Sequence, residues 1–230
     1  MSNENYRYEY KYIINTKNAA LVKHQLGALL CPDEHADLSG EYFVRSVYFD
    51  DDLLSAYHEK LSGINTRNKY RLRFYNLNPE RLFFEAKRKH GQLVTKNTLP
   101  ISRLTAERML SGEKLTPEDK QSPLLAEFDA LTCGSLGIQP SVIVDYTRTA
   151  FLYPLNYVRI TLDSDICAEK YHIDHVFKRY ASVPVLESDT VILEVKFSDW
   201  LPPFIAQVLS VVPKILCANS KYCNCIEVYY

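Results

Sequence analysis

Three short stretches of the chain alternate charged and apolar residues, and most of their charges are positive. They are residues 7–11 (RYEYK), 69–74 (KYRLRF) and 85–89 (EAKRK). A β-strand sends successive side chains to opposite faces, so each stretch would place its odd-numbered charges on one face. Two unit charges about 6–7 Å apart repel each other by roughly 2–3 kcal/mol at an effective dielectric constant near 20. A fold that carries several such strands is expected to bind a polyanion there, and this points to phosphate chemistry.

The whole chain is close to neutral, but its predicted strand faces are not. When charged residues are assigned to faces by strand parity, twelve cations and four acids share one surface or cover it. The cations are Arg7, Lys11, Lys69, Arg71, Arg73, Lys87, Lys89, Lys96, Arg148, Arg159, Lys196 and Lys221. The acids are Glu9, Glu85, Asp163 and Glu194. This surface carries a formal charge of +8, which leaves −9 for the other charged residues of a chain whose net charge is −1.

Two other interpretations of this pattern stay open. Any antiparallel sheet with one face in water alternates charged and apolar residues, although such a face ordinarily mixes the two signs. Single-stranded nucleic acid is bound by cations interleaved with aromatic residues on the same face. Strand parity instead places the aromatic residues on the opposite, core-facing side, and these are Tyr8, Tyr10, Tyr70 and Phe74. Nucleic acid is therefore not expected as a partner.

The carboxylates on the basic surface could hold a divalent cation. Glu194 shares a strand face with Lys196, and carboxylate oxygens suit Mg²⁺ or Mn²⁺ in metal-assisted phosphoryl transfer. Glu9 and Glu85 could add ligands, or could pair with neighbouring cations. Arginine contacts phosphate in a bidentate manner and lysine neutralises it as a point charge, so the mixture suits a polyphosphate chain. Side chains would hold any nucleotide, because the chain has only seven glycines and no glycine-rich phosphate motif.

The elements that would position these residues are mostly strands. Alternating patterns predict strands at residues 6–15, 42–49, 66–76, 81–90, 92–101, 141–152, 157–163 and 191–197. Helices are predicted at residues 17–31, after 50–52, within 102–131, at 201–212 and near 219–227. About eight strands without βαβ alternation predict an α+β fold, an eight-stranded antiparallel β-barrel with inserted and flanking helices. The length fits a single domain over residues 1–230.

Cysteine usage and hydropathy indicate the compartment. The six cysteines include no C-x-x-C pair, and their scatter predicts reduced thiols rather than a disulfide framework. The sequence begins without the apolar segment of a signal peptide. Its longest apolar stretch, residues 201–212, is too short and too interrupted to span a bilayer. We expect a soluble, cytoplasmic protein.

Eight short motifs occur in a fixed order from one end of the chain to the other. They are residues 7–12 (RYEYKY), 46–50 (SVYFD), 69–73 (KYRLR), 84–87 (FEAK), 146–151 (YTRTAF), 158–163 (VRITLD), 193–196 (LEVK) and 220–222 (SKY). Together they resemble the VTC domain, the catalytic domain of the vacuolar transporter chaperone proteins, within the triphosphate tunnel metalloenzyme (CYTH-like) superfamily. The resemblance implies an eight-stranded antiparallel tunnel whose basic interior binds triphosphate groups with a divalent metal, Mn²⁺ or Mg²⁺.

The same resemblance implies a reaction, in which the terminal phosphoryl of ATP passes to a growing inorganic polyphosphate chain and ADP leaves. The residues that it places along the tunnel are Lys11, Arg71, Arg73, Lys87, Lys96, Arg148, Arg159 and Lys196. Glu194 resembles the principal metal ligand of the family, and Lys221 resembles a lysine of the C-terminal helix that closes over the tunnel mouth. Arg7, Lys69 and Lys89 are expected to add phosphate contacts.

Two departures from the wider superfamily matter. The hydrolase branches begin with Glu-x-Glu-x-Lys, whereas Arg7 occupies the first glutamate position here, which favours the VTC branch. The eukaryotic polymerases carry membrane spans and a phosphate-sensing domain that this sequence lacks, so coupling to membrane transport would need a separate membrane partner. Two alternatives to polymerisation stay open, namely metal-dependent hydrolysis of tripolyphosphate or nucleoside triphosphate, and polyphosphate binding without catalysis.

Overall fold

The computed structural model describes residues 8–91, 93–134 and 137–230, in which strands dominate. The strands are β1 (Tyr8–Asn15), β2 (Cys31–Pro32), β3 (Glu41–Asp50), β4 (Thr66–Tyr75), β5 (Leu82–His90), β6 (Leu93–Ile101), β7 (Gln139–Tyr153), β8 (Val158–Lys170), β9 (Val183–Pro184), β10 (Thr190–Phe197) and β11 (Ile215–Leu216). The α-helices are α1 (Thr16–Gly27), α2 (Ser55–Leu61), α3 (Arg103–Ser111), α4 (Pro123–Thr132), α5 (Pro203–Ser210) and α6 (Lys221–Ile226).

The strands follow one hydrogen-bonding order, β11-β1-β10-β8-β7-β3-β4-β5-β6, with β2 paired to β7 and β9 paired to β8. The antiparallel sheet with helices, and thus the α+β class, is confirmed. The predicted eight-stranded barrel is not confirmed, because the described residues form 11 strands and no pairing joins β11 to β6 among them. Three of these strands, β2, β9 and β11, have two residues each. A two-residue strand shows no alternating pattern, so the sequence predicted only the eight longer ones.

The chain divides into two compact units. Unit 1 contains the described residues within 1–43, 146–166 and 186–220, and unit 2 contains those within 44–145, 167–185 and 221–230. Each unit has its own cluster of buried apolar side chains. The candidate charged residues of β1, β4, β5, β8 and β10 lie on strand faces turned away from these clusters.

In unit 1, strand β10 pairs with β1 on one side and with β8 on the other. One face of these strands is apolar and includes Ile14, Ile160 and Leu193, which pack with the buried side of α1 and α5. Helix α1 fits this role because its buried residues recur at helical spacing and because the Asn15 side chain caps its first turn. The apolar packing thereby fixes the opposite face, which carries the charged residues.

In unit 2, strands β3, β4, β5 and β6 pair in sequence order. Their apolar face includes Leu72, Phe74 and Phe84, which are fully buried in one cluster with residues of α3 and α4. The aromatic residues of this face pack edge to face, as where Phe128 meets Phe84 with ring centroids 4.9 Å apart. The alternation of β4 and β5 therefore places their odd-numbered charged residues on the other face.

Most predicted elements occur close to their expected positions. Helix α1 ends at Gly27 rather than at Cys31, and the strand predicted at 157–163 continues as β8 to Lys170. The first two residues of the strand predicted at 6–15 lie outside the described residues. None of the six cysteines forms a disulfide. Within the described residues, no helix has the length and apolar character that a membrane span requires.

Candidate functional site

Two lysines and two glutamates alternate on neighbouring strands of unit 1. The register places Lys11 opposite Glu194 and Glu9 opposite Lys196. Lys11 Nζ lies 3.1 Å from Glu9 Oε1 and 3.4 Å from Glu194 Oε2. Lys196 Nζ lies 2.7 Å from Glu194 Oε1 and 3.6 Å from Glu9 Oε2. These four side chains form a cluster with equal numbers of positive and negative charges, which we call the Glu9–Glu194 cluster.

The cluster keeps Lys11 charged. Burial alone would lower the pKa of Lys11, but the negative charges of Glu194 and Glu9 outweigh it and raise that pKa above its ordinary value. Lys11 Nζ also donates a hydrogen bond to the carbonyl oxygen of Asn219 at 3.3 Å. Lys11 is therefore an ammonium group at neutral pH, held in place by two carboxylates and a carbonyl.

Two arginines of unit 1 are each held by an aspartate. Arg148 donates from Nε to Asp163 Oδ1 at 2.6 Å and from Nη2 to Asp163 Oδ2 at 2.8 Å. Arg159 Nη2 lies 2.7 Å from Asp33 Oδ2. Asp163 and Asp33 are both buried, so each pair fixes the direction of a guanidinium group that would otherwise sample many rotamers.

In unit 2, one buried carboxylate attracts three cations. Arg71 Nε donates to Glu85 Oε2 at 2.6 Å, Lys96 Nζ lies 2.6 Å from Glu85 Oε1, and Arg73 Nη1 lies 3.8 Å from Glu85 Oε2. Burial would raise the pKa of Glu85, but the three cations outweigh it and hold that pKa well below its ordinary value. We call these four residues the Glu85 cluster, and it carries more positive than negative charge.

The basic surface of unit 2 extends beyond the Glu85 cluster as a row of lysines across three strands. Lys69 on β4 stands opposite Lys87 on β5, and Lys87 stands opposite Lys96 on β6. Like charges directly opposite each other destabilise a sheet. On this face of β4–β6, the described residues include at least five cations, namely Lys69, Arg71, Arg73, Lys87 and Lys96, and a single carboxylate, that of Glu85.

Helix α6 of unit 2 contacts the basic face through Tyr222 and Cys223, and Lys69 Nζ donates to Cys223 Sγ at 3.8 Å. The Tyr222 ring lies 4.7 Å from Lys69 Nζ and 5.1 Å from the centroid of Tyr48, and its hydroxyl donates to Asp50. Tyr48 in turn accepts a hydrogen bond from Arg71 Nη1 at 2.8 Å. Burial lowers the pKa of Lys69 to about 8, so this lysine titrates closer to neutrality than an exposed one.

The remaining candidate residues lie as follows. Arg7 is outside the described residues. Lys89 is on β5 opposite Arg67, and Lys221 is the first residue of α6. Tyr70 and Phe74 are buried, as strand parity predicted. The core-facing prediction for Tyr8 and Tyr10 is wrong, because they are 51% and 40% exposed at the end of β1, where their rings pack beside Phe197.

Several side chains that hold the candidate residues were missed by the sequence reasoning. The sequence predicts a strand that contains Tyr48 and a helix that follows Asp50, and it assigns neither residue a role in the site. Asp50 and Asp51 do cap α2, where they accept hydrogen bonds from the backbone N–H groups of Ala56 and Ser55. Tyr48 also binds Arg71, however, and that contact depends on the pairing of β3 with β4. A search for polar residues at aligned positions of adjacent strands would have found it.

Glu9 and Glu194 fit a divalent cation of the Mg²⁺ or Mn²⁺ type. Mg²⁺ is commonly held by one or two carboxylates, with water and substrate phosphate supplying the other oxygens. Lys11 and Lys196 each lie within ion-pair distance of both carboxylates, so the two carboxylates face a common space. The described residues contain no group of three or more His, Cys, Asp or Glu side chains arranged to hold a metal alone. Glu85 is ion-paired with three cations, which fits the pairing role better than the ligand role.

Comparison with known proteins supports the family identified from the motifs. The chain is similar in structure to an adenylyl cyclase-like protein from Hippeastrum that is described as having a dominant triphosphatase activity, with 13% identity, a TM-score of 0.52, and 93% of this chain and 92% of that one covered. It is also similar to an adenylate cyclase-like protein from Bacillus halodurans, with 12% identity, a TM-score of 0.56 and 96% of both chains covered. At these identities the similarity shows the fold alone. The comparison with curated proteins found no match. The family model described as the VTC domain matches residues 6–230, and the chain therefore belongs to the VTC domain family.

Proposed function

We propose that this protein is an ATP-dependent inorganic polyphosphate polymerase that uses Mg²⁺ or Mn²⁺. The observation that carries the proposal is the basic face of β4–β6, where at least five cations accompany the single carboxylate of Glu85 in a chain matched by the VTC domain. Keeping like charges this close costs free energy in the absence of a ligand. A linear polyanion such as triphosphate or polyphosphate offsets that cost.

The proposed chemistry is a phosphoryl transfer. The bond between the β- and γ-phosphates of ATP breaks, a new phosphoanhydride bond forms at the end of the chain, and ADP leaves. The acceptor phosphate is already anionic, so no side chain has to act as a strong general base. Catalysis then consists of positioning the reactants and stabilising charge on the transferred group.

The cations divide between two proposed roles. The proposed catalytic residues are Lys11, Arg71, Arg73, Lys87, Arg148, Arg159 and Lys196, and the proposed phosphate-binding residues are Arg7, Lys69, Lys89, Lys96 and Lys221. The carboxylates that hold Arg71, Arg148 and Arg159 fix their guanidinium groups before the substrate arrives, so less side-chain entropy is lost on binding. Glu194 and Glu9 would hold the divalent cation, which when bound would neutralise charge on the terminal phosphates.

Hydrolysis is the second candidate function. It is supported by the triphosphatase activity described for the Hippeastrum protein, which shares the fold, and it would need only water in place of the acceptor phosphate. The third candidate is a module that binds polyphosphate without turnover.

One assay separates the three candidates. Purified protein is incubated with ATP and Mn²⁺, with and without a short polyphosphate primer, and the products are resolved by gel electrophoresis and by a colorimetric phosphate assay. A polymerase gives ADP and a phosphate polymer in matched amounts. A hydrolase gives ADP and free phosphate, and a binding module retains polyphosphate but releases no ADP. The Glu194→Gln variant serves as a control for contaminating enzymes.

A further inference from the structure

Thr161 carries a buried hydroxyl that none of the roles above uses. The residue is 2% exposed, and its Oγ1 has no hydrogen-bond partner among the described residues. Two other buried threonines differ in this respect. Thr105 Oγ1 donates to Asp119 Oδ1 at 2.7 Å, and Thr149 Oγ1 lies 3.4 Å from Glu41 Oε1 as a hydrogen-bond donor. A buried hydroxyl without a partner costs free energy, so Thr161 calls for a functional explanation.

The register of unit 1 places Thr161 beside the Glu9–Glu194 cluster. Thr161 on β8 stands directly opposite Glu194 on β10, and Glu194 stands opposite Lys11 on β1. The neighbours of Thr161 along β8, Ile160 and Leu162, point to the other face and are buried in the apolar cluster of unit 1. The hydroxyl therefore lies on the charged face, in the same row as Glu194.

The ion pairs of Glu194 hold its carboxylate toward two lysines when no cation is bound. One carboxylate oxygen lies 2.7 Å from Lys196 Nζ and the other lies 3.4 Å from Lys11 Nζ. Both oxygens thus already have charged neighbours. A divalent cation on this carboxylate would repel both ammonium groups, and Glu194 would lose the lysines that now hold it.

We infer that Thr161 is a positioning residue for Glu194, and that its hydroxyl donates a hydrogen bond to the Glu194 carboxylate when that carboxylate binds a divalent cation. Carboxylates that bind metals are usually held by a hydrogen-bond donor behind them. A hydroxyl suits this task because it is neutral and does not repel the cation, unlike Lys11 or Lys196. The inference rests on the proposed function, because it requires a cation at the Glu9–Glu194 cluster.

A direct contact between Thr161 and the phosphate chain is the competing role. The hydroxyl oxygen is inaccessible to solvent, so a bulky anion would have to displace neighbouring side chains to reach it. Glu194 needs only to change its own side-chain torsions, because it is already the cross-strand neighbour. The geometry therefore favours Glu194 as the acceptor.

The test compares the Mn²⁺ affinity of three variants. Mn²⁺ is titrated into the ligand-free protein, and binding is measured by calorimetry and by the shift in Tm. Thr161→Val keeps the shape and removes the hydroxyl, Thr161→Ser keeps the hydroxyl, and Thr149→Val removes a buried hydroxyl outside the cluster as the matched control. Thr161→Val should weaken Mn²⁺ binding about 10- to 100-fold. Thr161→Ser and Thr149→Val should bind Mn²⁺ as the wild type does.

Two further readouts separate positioning from a structural role. The Tm of metal-free Thr161→Val should equal or exceed that of the wild type, because the substitution removes no hydrogen bond. The affinity for tripolyphosphate in EDTA should be unchanged. If valine packs poorly and lowers the Tm, Thr161→Ala removes the same hydroxyl without adding atoms and should show the same loss of Mn²⁺ affinity.

Each contrary result overturns a different claim. If wild type and Thr161→Val bind Mn²⁺ equally well while Glu194→Gln does not, the inference about Thr161 is wrong and the metal site stands. If Thr161→Val weakens tripolyphosphate binding in EDTA, the hydroxyl contacts phosphate and the inference is again wrong. If the wild type binds no Mn²⁺, the metal component of the proposed function fails and the inference fails with it.

Discussion

The charged faces of the two units are built from the same residue types but balance their charges differently. On the face of unit 1, Lys11 and Lys196 are matched by Glu9 and Glu194, while Asp163 holds Arg148. On the β4–β6 face of unit 2, the described residues include at least five cations and one carboxylate, that of Glu85. A balanced cluster with two adjacent carboxylates suits a cation, whereas a face with excess positive charge suits an anion. We therefore propose that the carboxylates of unit 1 hold the metal and that the basic face of unit 2 binds phosphate without one.

The largest loss of activity is expected from substitution of Glu194, and the matching substitution of Glu85 is the comparison. Glu194→Gln should lower ATP turnover by at least about 100-fold, because a bound metal stabilises transition-state charge by several kcal/mol. Glu85→Gln should lower turnover much less and leave its dependence on Mn²⁺ concentration unchanged, because Glu85 is proposed to position cations rather than to bind metal. The measurement is the initial rate of ADP release against Mn²⁺ concentration for both variants. Equal losses in the two variants would contradict the division between the units.

A second prediction concerns the cations of the Glu85 cluster. Arg71→Ala should weaken tripolyphosphate binding and also lower stability by about 1–3 kcal/mol, because it removes a charged hydrogen bond to a buried carboxylate. Calorimetry with tripolyphosphate and chemical denaturation without it measure the two effects separately. Lys87→Ala is the matched comparison: Lys87 is exposed and stands between two lysines, so its loss should weaken binding without loss of stability. If Arg71→Ala binds tripolyphosphate normally, Arg71 has only a structural role.

The anion affinity of unit 2 should depend on pH through Lys69. Its pKa of about 8 lies below the ordinary value of 10.5, so raising the pH through about 8 removes a positive charge from the face. Tripolyphosphate affinity should fall about tenfold across that range, the equivalent of one charged hydrogen bond. Binding near pH 8 should also take up protons, which calorimetry in buffers of different ionisation enthalpy detects. Burial also lowers the pKa of Lys96, on the same face, to about 8, so Lys69→Arg should reduce the pH dependence without removing it. An unaltered pH profile in that variant would exclude Lys69 as a titrating group.

The smallest effect is expected on the free energy of unfolding at acid pH. The pKa of Glu85 is held below its ordinary value of 4.5, so the stability that its ion pairs contribute is complete above about pH 4.5 and is lost as the pH falls further. Glu85→Gln should therefore unfold more readily than the wild type at pH 7, and the difference should shrink below pH 4.5. Urea denaturation at several pH values measures it. A difference that does not change with pH would mean that the carboxylate charge is not what stabilises the cluster.

Strand parity predicted which residues share a face, but it did not predict how neighbouring strands align. Alternation alone placed Arg71, Arg73 and Glu85 on charged faces, because each long strand packs its apolar side into a core. The partners that hold them depend on register: Tyr48 meets Arg71 because β3 pairs with β4, and Asp33 reaches Arg159 from the segment after β2. The same limit explains Thr161, whose importance appears only when β8 is aligned with β10. No single strand contains that information.

The proposed division between the two units can be tested by titrating tripolyphosphate in EDTA at low salt into wild type, Lys87→Ala and Glu194→Gln. We expect the wild type to bind without metal and Lys87→Ala to bind more weakly. Glu194→Gln should bind at least as tightly as the wild type, because it loses a negative charge. If the wild type binds tripolyphosphate only when Mn²⁺ is present, the basic face of unit 2 does not bind phosphate by itself, and the proposed division between the two units is wrong.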